Sequence, residues 1–175
     1  MPVKLVRPTV DYQTSYVEAV REFKVDGHHR YIEANPDELN AGFPAFIQGE
    51  LGKEQMPPFP NAVTETVYWL VDDKDFLGRI SLRHELNDFL KTFGGHIGYE
   101  VRPTHRKQGH ATEMLRLVLI EAHKCGMKKV MLTCDDDNIG SQKVIQKNGG
   151  VLQDVVKLDF RDVPTMRWWI TLEEE

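Results

Sequence analysis

Apolar positions change their period along this chain, and the changes mark its elements. Near the start, Lys4-Leu5-Val6 lies in a short run that reads as a first strand over residues 3–7. Tyr16, Val17, Val20 and Phe23 then fall near helical spacing, so a helix capped by Asp11 or Thr14 is expected to run to about Lys24. Gly27-His28-His29 breaks it. Asn35-Pro36-Asp37 opens a second expected helix that runs through Phe46 and Ile47 to about Leu51. Pro57, Pro58 and Pro60 make residues 52–61 a loop,.

From Thr64 the pattern shortens. Thr66-Val67-Tyr68-Trp69-Leu70-Val71 is β-branched and aromatic and predicts a strand,. Asp72-Asp73-Lys74-Asp75 is a turn, and Phe76 to Arg83 returns as the second arm of a hairpin. Gly94-Gly95 leads into a strand over His96 to Val101, stopped by Pro103. Ala111, Met114, Leu115, Val118, Leu119 and Ala122 then form a continuous apolar stripe, the clearest helix of the sequence. Gly126 ends it, with His123 and Lys124 complementing its C-terminal dipole. Lys129 to Cys134 reads as a buried strand. Asp137-Asn138 starts a helix ending at Asn148-Gly149-Gly150. Val151 to Phe160 and Val163 to Leu172 read as a closing hairpin around Arg161-Asp162. The acidic Glu173-Glu174-Glu175 is expected to fray,.

This order of strands and helices predicts an α/β or α+β fold. A mixed, mostly antiparallel sheet of about six to seven strands carries helices on both faces, with one strand–helix–strand crossover. A length of 175 residues suits a single domain over residues 1–175,. At 41% hydrophobic and 28% charged residues, the composition is that of a globular chain,. No apolar run approaches the roughly 20 residues of a membrane span. Met1 to Arg7 is too short and mixed for a secretory signal, so the expected location is the cytoplasm. A net charge of −5 argues against a nucleic-acid partner,. Cys125 and Cys134 lack CxxC spacing and read as reduced thiols. The seven histidines, apart from adjacent His28 and His29, are scattered, and no metal site is expected,.

The chemistry lies where the fourth predicted strand meets the long amphipathic helix. Gly98-Tyr99-Glu100-Val101-Arg102-Pro103-Thr104-His105-Arg106-Lys107-Gln108-Gly109-His110-Ala111 runs from strand through a basic turn into a helix start. A helix N-terminus presents unpaired N–H groups and the positive end of its dipole, which together attract anions. Gly109 leaves room for the backbone to approach an anion closely. Arg102, Arg106 and Lys107 add charge, and Arg106 has the fork geometry for two phosphate oxygens. Neither a Walker loop nor a GxGxxG fingerprint is present. Alone, such a turn reads as a solvated surface loop.

Its context says more. Arg106-x-x-Gly109-x-Ala111, after a strand ending at Pro103 and before a helix, resembles the R/Q-x-x-G-x-G/A acetyl-CoA-binding motif of the GNAT superfamily of N-acetyltransferases. Asn138-x-x-Ser141 opens the next helix and Lys147-Asn148-Gly149-Gly150 ends it, like that family's second signature. The resemblance covers roughly residues 64–172 well and the N-terminal helices loosely. The spelling is similar to a bacterial branch of predicted acetyltransferases near the ribosomal-protein-alanine type.

The resemblance implies a splayed pair of central strands, Tyr99-Glu100-Val101 and Met131 to Cys134, with pantetheine between them. It implies that the Val101 N–H holds the thioester carbonyl and stabilises the oxyanion. It places the pyrophosphate on N–H groups of Lys107, Gln108, Gly109, His110, Ala111 and Thr112. Asn138, Ser141 and Lys143 fall where the family contacts the pantetheine arm and the adenosine end. The acceptor amine, with a pKa of about 10, must lose a proton to attack. Glu100 is the candidate base, although strand alternation puts it on the opposite face from Tyr99 and Val101. The tyrosine that in many family members protonates the leaving thiolate falls at Ile145. Here the acid is Ser141 or water, or none is needed, since a thiol pKa of about 8.5 makes a fair leaving group.

The expected reaction is acetyl transfer from acetyl-CoA, with no metal, to a small-molecule or peptide primary amine by direct attack in a ternary complex. A CoA-binding module or sensor without turnover, and a nucleotide-binding regulatory domain, are the competing readings. Family analogy favours a homodimer and gives no membrane role. Asp135-Asp136-Asp137 either draws a cationic acceptor or is a solvated helix start. Trp69, Trp168 and Trp169 read as sheet-face aromatics. Tyr31, Phe43 and Phe46 read either as one wall of the acceptor site or as ordinary packing.

Overall fold

A computed structural model describes residues 2–172 of the chain, so the terminal glutamates expected to fray lie outside the described residues. Seven strands form two antiparallel sheets. The first is ordered β1 (Lys4–Val6), β2 (Glu65–Val71), β3 (Phe76–Arg83), β4 (Ile97–Val101), and the second β5 (Lys129–Asp135), β7 (Thr165–Thr171), β6 (Val151–Val156). The sheets meet at one isolated bridge, Gly95 to Leu132.

β2 shows why its sequence is almost continuously apolar. Val67, Trp69 and Val71 face one core while Leu70 and Tyr68 face the other, the alternation of a strand covered on both sides. The first core lies under α1 (Gln13–Val25), α2 (Pro36–Ala41) and α3 (Phe43–Gly52), where Tyr16 stacks on Trp69 with centroids 4.6 Å apart. The second lies under α5 (His110–Lys124) and α6 (Ile139–Lys147). Met114, Leu115, Val118 and Ala122 of the α5 stripe are wholly buried there. Buried Leu and Met side chains of this kind each resist truncation to alanine by about 2–5 kcal/mol.

Three expectations need correction, and one short helix was not expected. Thr9, not Asp11 or Thr14, makes the first cap, and it caps a short 3-10 turn over Val10–Tyr12 ahead of α1. The single helix expected from Asn35 to Leu51 is two, parted at Gly42. Pro44 lacks the N–H that would continue the ladder, so it sits in the first turn of a new helix. A short helix α4 (Asp88–Thr92), capped by Asn87, fills the connection from β3 to β4. The closing hairpin turns over residues 157–164, because β6 ends at Val156 and Arg161 reaches back to Asp135 and Thr165.

Candidate active site

β4 and β5 carry the site between them. β4 pairs with β3 in the register Gly78–Val101, Arg79–Glu100 and Ile80–Tyr99. Arg102 N–H donates to Leu77 O and Arg83 N–H to His96 O. By antiparallel alternation, the N–H groups of Tyr99 and Val101 therefore point away from β3, into the gap. Beyond the Gly95 bridge β4 has no backbone pairing with β5 among the described residues. The splay that the family resemblance implied is present, and its free main-chain groups line one wall.

At the mouth of the gap, the turn Arg106–Gly109 is exposed. Gly109 caps α5 at φ +86°, a left-handed conformation that glycine adopts without steric cost,. A Cβ there would meet nothing within 4 Å, so the glycine serves backbone conformation rather than relief of a clash within the protein. Among the described residues, the N–H groups of Lys107, Gln108, Gly109, His110, Ala111 and Thr112 donate to no protein acceptor. Glu113 N–H is the first to close on the loop, at Gly109 O. Six orphan donors around a helix start fit a diphosphate.

The arginines behave differently from the sequence expectation. Arg102 is buried, its Nε on Glu22 at 2.8 Å and its Nη1 on Ser15 at 2.8 Å, so it adds no charge to the turn. Arg106 forks Asp26 at 2.9 and 2.8 Å and touches Val101 O through Nε at 3.3 Å. Thr104 Oγ1 donates to Glu22. Burial raises the Glu22 carboxyl, but its bonds from Arg102 and Thr104 hold it below its usual range. The missed signal was in α1: Glu18, Glu22 and Asp26 recur every four residues, an acidic stripe matching the basic turn.

Across the gap, Asn138 Oδ1 accepts from Ser141 N–H at 3.0 Å and caps α6. The Ser141 hydroxyl meets the Tyr99 hydroxyl at 2.5 Å. Burial pushes the Tyr99 phenol up to about 12, so it is protonated at neutral pH. Lys143 is exposed on α6. Ile145 is fully buried in the second core. Tyr99 and Ser141 are 42 residues apart, so no local spacing in the sequence joins the two hydroxyls.

Glu100 lies on the opposite face of β4. Its carboxylate accepts from Tyr31 Oη at 2.7 Å and Arg30 Nη1 at 3.0 Å, with His28 Nε2 at 3.5 Å. Beside this cluster is a cavity of about 500 Å³ lined by Tyr16, Tyr31, Phe46, Arg30, Lys53 and Arg79 among others. Beneath it Arg79 Nε donates to Glu50 at 3.2 Å and its Nη2 lies 3.5 Å from Glu65. Lys53 also binds Glu50. Burial raises the Glu50 carboxyl, yet Arg79 and Lys53 outweigh it and hold the group low. Of the three aromatics named as wall or packing, Tyr31 and Phe46 line the cavity while Phe43 is core. Trp69 and Trp168 are buried sheet-face residues, and Trp169 is half-buried with its indole N–H on Gln153. Asp135 is paired with Arg161 at 2.6 Å.

The splayed strands and the orphan amides at the start of α5 form a crevice whose free N–H groups suit phosphate and amide ligands,. The chain belongs to the acetyltransferase (GNAT) domain family, which matches it over residues 12–151. That membership supports acetyl transfer from acetyl-CoA and makes the protein an acyltransferase. Among solved structures it is similar in fold to the microcin C7 self-immunity acetyltransferase MccE in complex with acetyl-CoA and AMP, at 13% identity and TM-score 0.69, covering 97% of this chain and 92% of that one. RimL, a ribosomal L7/L12 alpha-N-protein acetyltransferase in complex with coenzyme A, aligns at 14% identity and TM-score 0.70, covering 97% and 94%. RimJ of Mycobacterium smegmatis in complex with a CoA disulfide aligns at 15% and 0.69, covering 97% and 81%. Among curated proteins none matches by sequence.

Proposed function

We propose that this chain, taken as one domain, is an N-acyltransferase that passes the acetyl group of acetyl-CoA to a primary amine on a small molecule or peptide, by direct attack in a ternary complex. The observation that carries the reading is the run of six unpaired N–H groups from Lys107 to Thr112, opening onto the Tyr99 and Val101 amides in the gap. Those residues would hold the diphosphate and the thioester arm, with Asn138, Ser141 and Lys143 along the arm and the adenosine end. The Val101 N–H would stabilise charge developing on the thioester oxygen. Glu100, or water beside it, would take the amine proton as the N–C bond forms. As the C–S bond breaks, the sulfur would take a proton from Tyr99, itself backed by Ser141.

Coenzyme A, unlike ATP or NAD, should raise the melting temperature, by an amount equivalent to about 2.7 kcal/mol at a hundred times its Kd. Acetyl-CoA with an amine panel should release free thiol. Tyr99→Phe should lower kcat by about a hundredfold or more while leaving coenzyme A affinity intact, and an unchanged kcat would remove Tyr99 from the reaction. A second reading, a CoA-binding module without turnover, is favoured by one observation: Arg30 and Tyr31 already occupy the Glu100 carboxylate. Coenzyme A binding without thiol release for any amine would select it.

A further inference from the structure

The gap begins at a definite place, and one side chain makes it. His96 N–H donates to Met131 O at 2.7 Å, and Met131 N–H donates to His96 Nδ1 at 2.9 Å. In a continuous ladder a backbone carbonyl would fill the second position. His96 thus holds Met131 at both ends, its backbone N–H on the carbonyl and its imidazole on the amide, and the ring satisfies a β5 N–H that faces β4. His96 O meanwhile accepts from Arg83 N–H, tying the same residue to β3. Gly95, at φ +61°, brings its backbone so close to Met131 O that no Cβ fits there. Gly94 N–H adds a bond to Thr133 Oγ1 at 2.9 Å, and Arg83 Nη1 holds the Gly94 and Gly95 carbonyls.

We infer that His96 is a positioning residue, whose ring fixes the apex of the β4–β5 gap and thereby the width available to the thioester arm. The inference rests on the acetyl-CoA reading of that gap. The imidazole suits the task. Burial and then the Arg83 charge push it down to about 4, so at neutral pH the ring is neutral and Nδ1 accepts. The apex also has leverage. Val101 lies five residues further along, roughly 16 Å at 3.3 Å per residue, so a tilt of about 3.5° at His96 moves its N–H by about 1 Å. Displacements of that size at a reacting centre cost about a hundredfold in rate.

The experiment uses the full chain, with calorimetric titration of coenzyme A and of adenosine 3′,5′-bisphosphate, which lacks the pantetheine arm. His96→Phe keeps a ring and loses the acceptor. It should weaken coenzyme A about tenfold, the value of one lost hydrogen bond, and leave the bisphosphate unchanged. His96→Asn places Oδ1 where Nδ1 stood and should recover most of the affinity. A His96→Phe protein binding coenzyme A like the parent would overturn the inference, as would equal losses for both ligands, which mark a general structural effect. A parent protein that binds neither ligand would instead overturn the acetyl-CoA reading beneath it. Should His96→Phe not fold, a through-hydrogen-bond coupling between the Met131 amide and His96 Nδ1 decides: detection supports the clasp and absence removes it.

Discussion

The two faces of β4 hold their polar groups in opposite ways. Toward β5, the groups are main-chain amides with no protein partner, and they surround a glycine-capped helix start. Toward α1 and α3, the groups are side chains paired with one another, Glu100 with Tyr31 and Arg30 and Glu50 with Arg79 and Lys53, while Arg79 Nη2 is buried without a hydrogen-bond partner among the described residues. The first surface is prepared for a ligand of fixed shape, since unpaired amides recognise phosphate and amide groups whatever is attached. A ligand entering the second would have to offer partners good enough to replace internal ones, which is how a paired network selects among ligands. One strand therefore separates a general face from a selective one.

Breaking the selective face should give the largest effect. Arg79 is buried with Glu50 and Glu65, and both carboxylates are also buried. Arg79→Ala would leave two low-dielectric carboxylates dependent on Lys53 and Arg83 alone. Loss of one partner from such a network costs about 3–5 kcal/mol, a large part of an ordinary domain's stability. Urea denaturation measures it. A loss below about 1 kcal/mol, the range of exposed pairs, would mean the cavity floor is solvated, and the contrast between the faces would vanish.

This contrast also explains what the sequence disclosed. Strands β2, β3 and β4, helix α5 and the Gly109 turn were legible because each rests on local periodicity or a local backbone requirement. The turn from Arg106 to Ala111 was readable in the same way, through six consecutive residues. The selective face assembles Arg30, Glu50, Arg79 and Glu100 from four separate elements, and no spacing rule connects them. The ion pairs that Arg102 and Arg106 make with the acidic stripe were not legible for the same reason. A basic turn looks identical in sequence whether its charges face a ligand or, as here, an acidic stripe on α1. The clasp at His96 was invisible because a histidine ring replaced a backbone carbonyl.

A smaller effect sharpens the general face. In Gly109→Val a β-branched residue must hold φ near +86°, at a cost of about 1–3 kcal/mol. No neighbour blocks its Cβ, so the fold should survive and the turn should relax away from the left-handed conformation. Coenzyme A affinity should fall about tenfold or more, with the urea midpoint little changed. Unaltered affinity would move the phosphate site elsewhere.

The smallest expected effect decides what Arg106 does. Its fork to Asp26 sits on the surface, with both side chains more than a third exposed, so neither Arg106→Ala nor Asp26→Ala should shift the melting temperature much. Their effects on coenzyme A affinity differ in sign between two roles. If the fork anchors the turn to α1, each substitution loosens the amides of residues 107–112 and each weakens binding, by less than about tenfold. If Asp26 merely holds Arg106 until phosphate arrives, Asp26→Ala releases the guanidinium and tightens binding while Arg106→Ala still weakens it. The neighbouring contacts, Thr104 on Glu22 and Arg102 on Ser15 and Glu22, fasten the same turn to the same helix. We therefore expect both substitutions to weaken binding, and titration of coenzyme A against each variant measures it, tighter binding by Asp26→Ala selecting the other role.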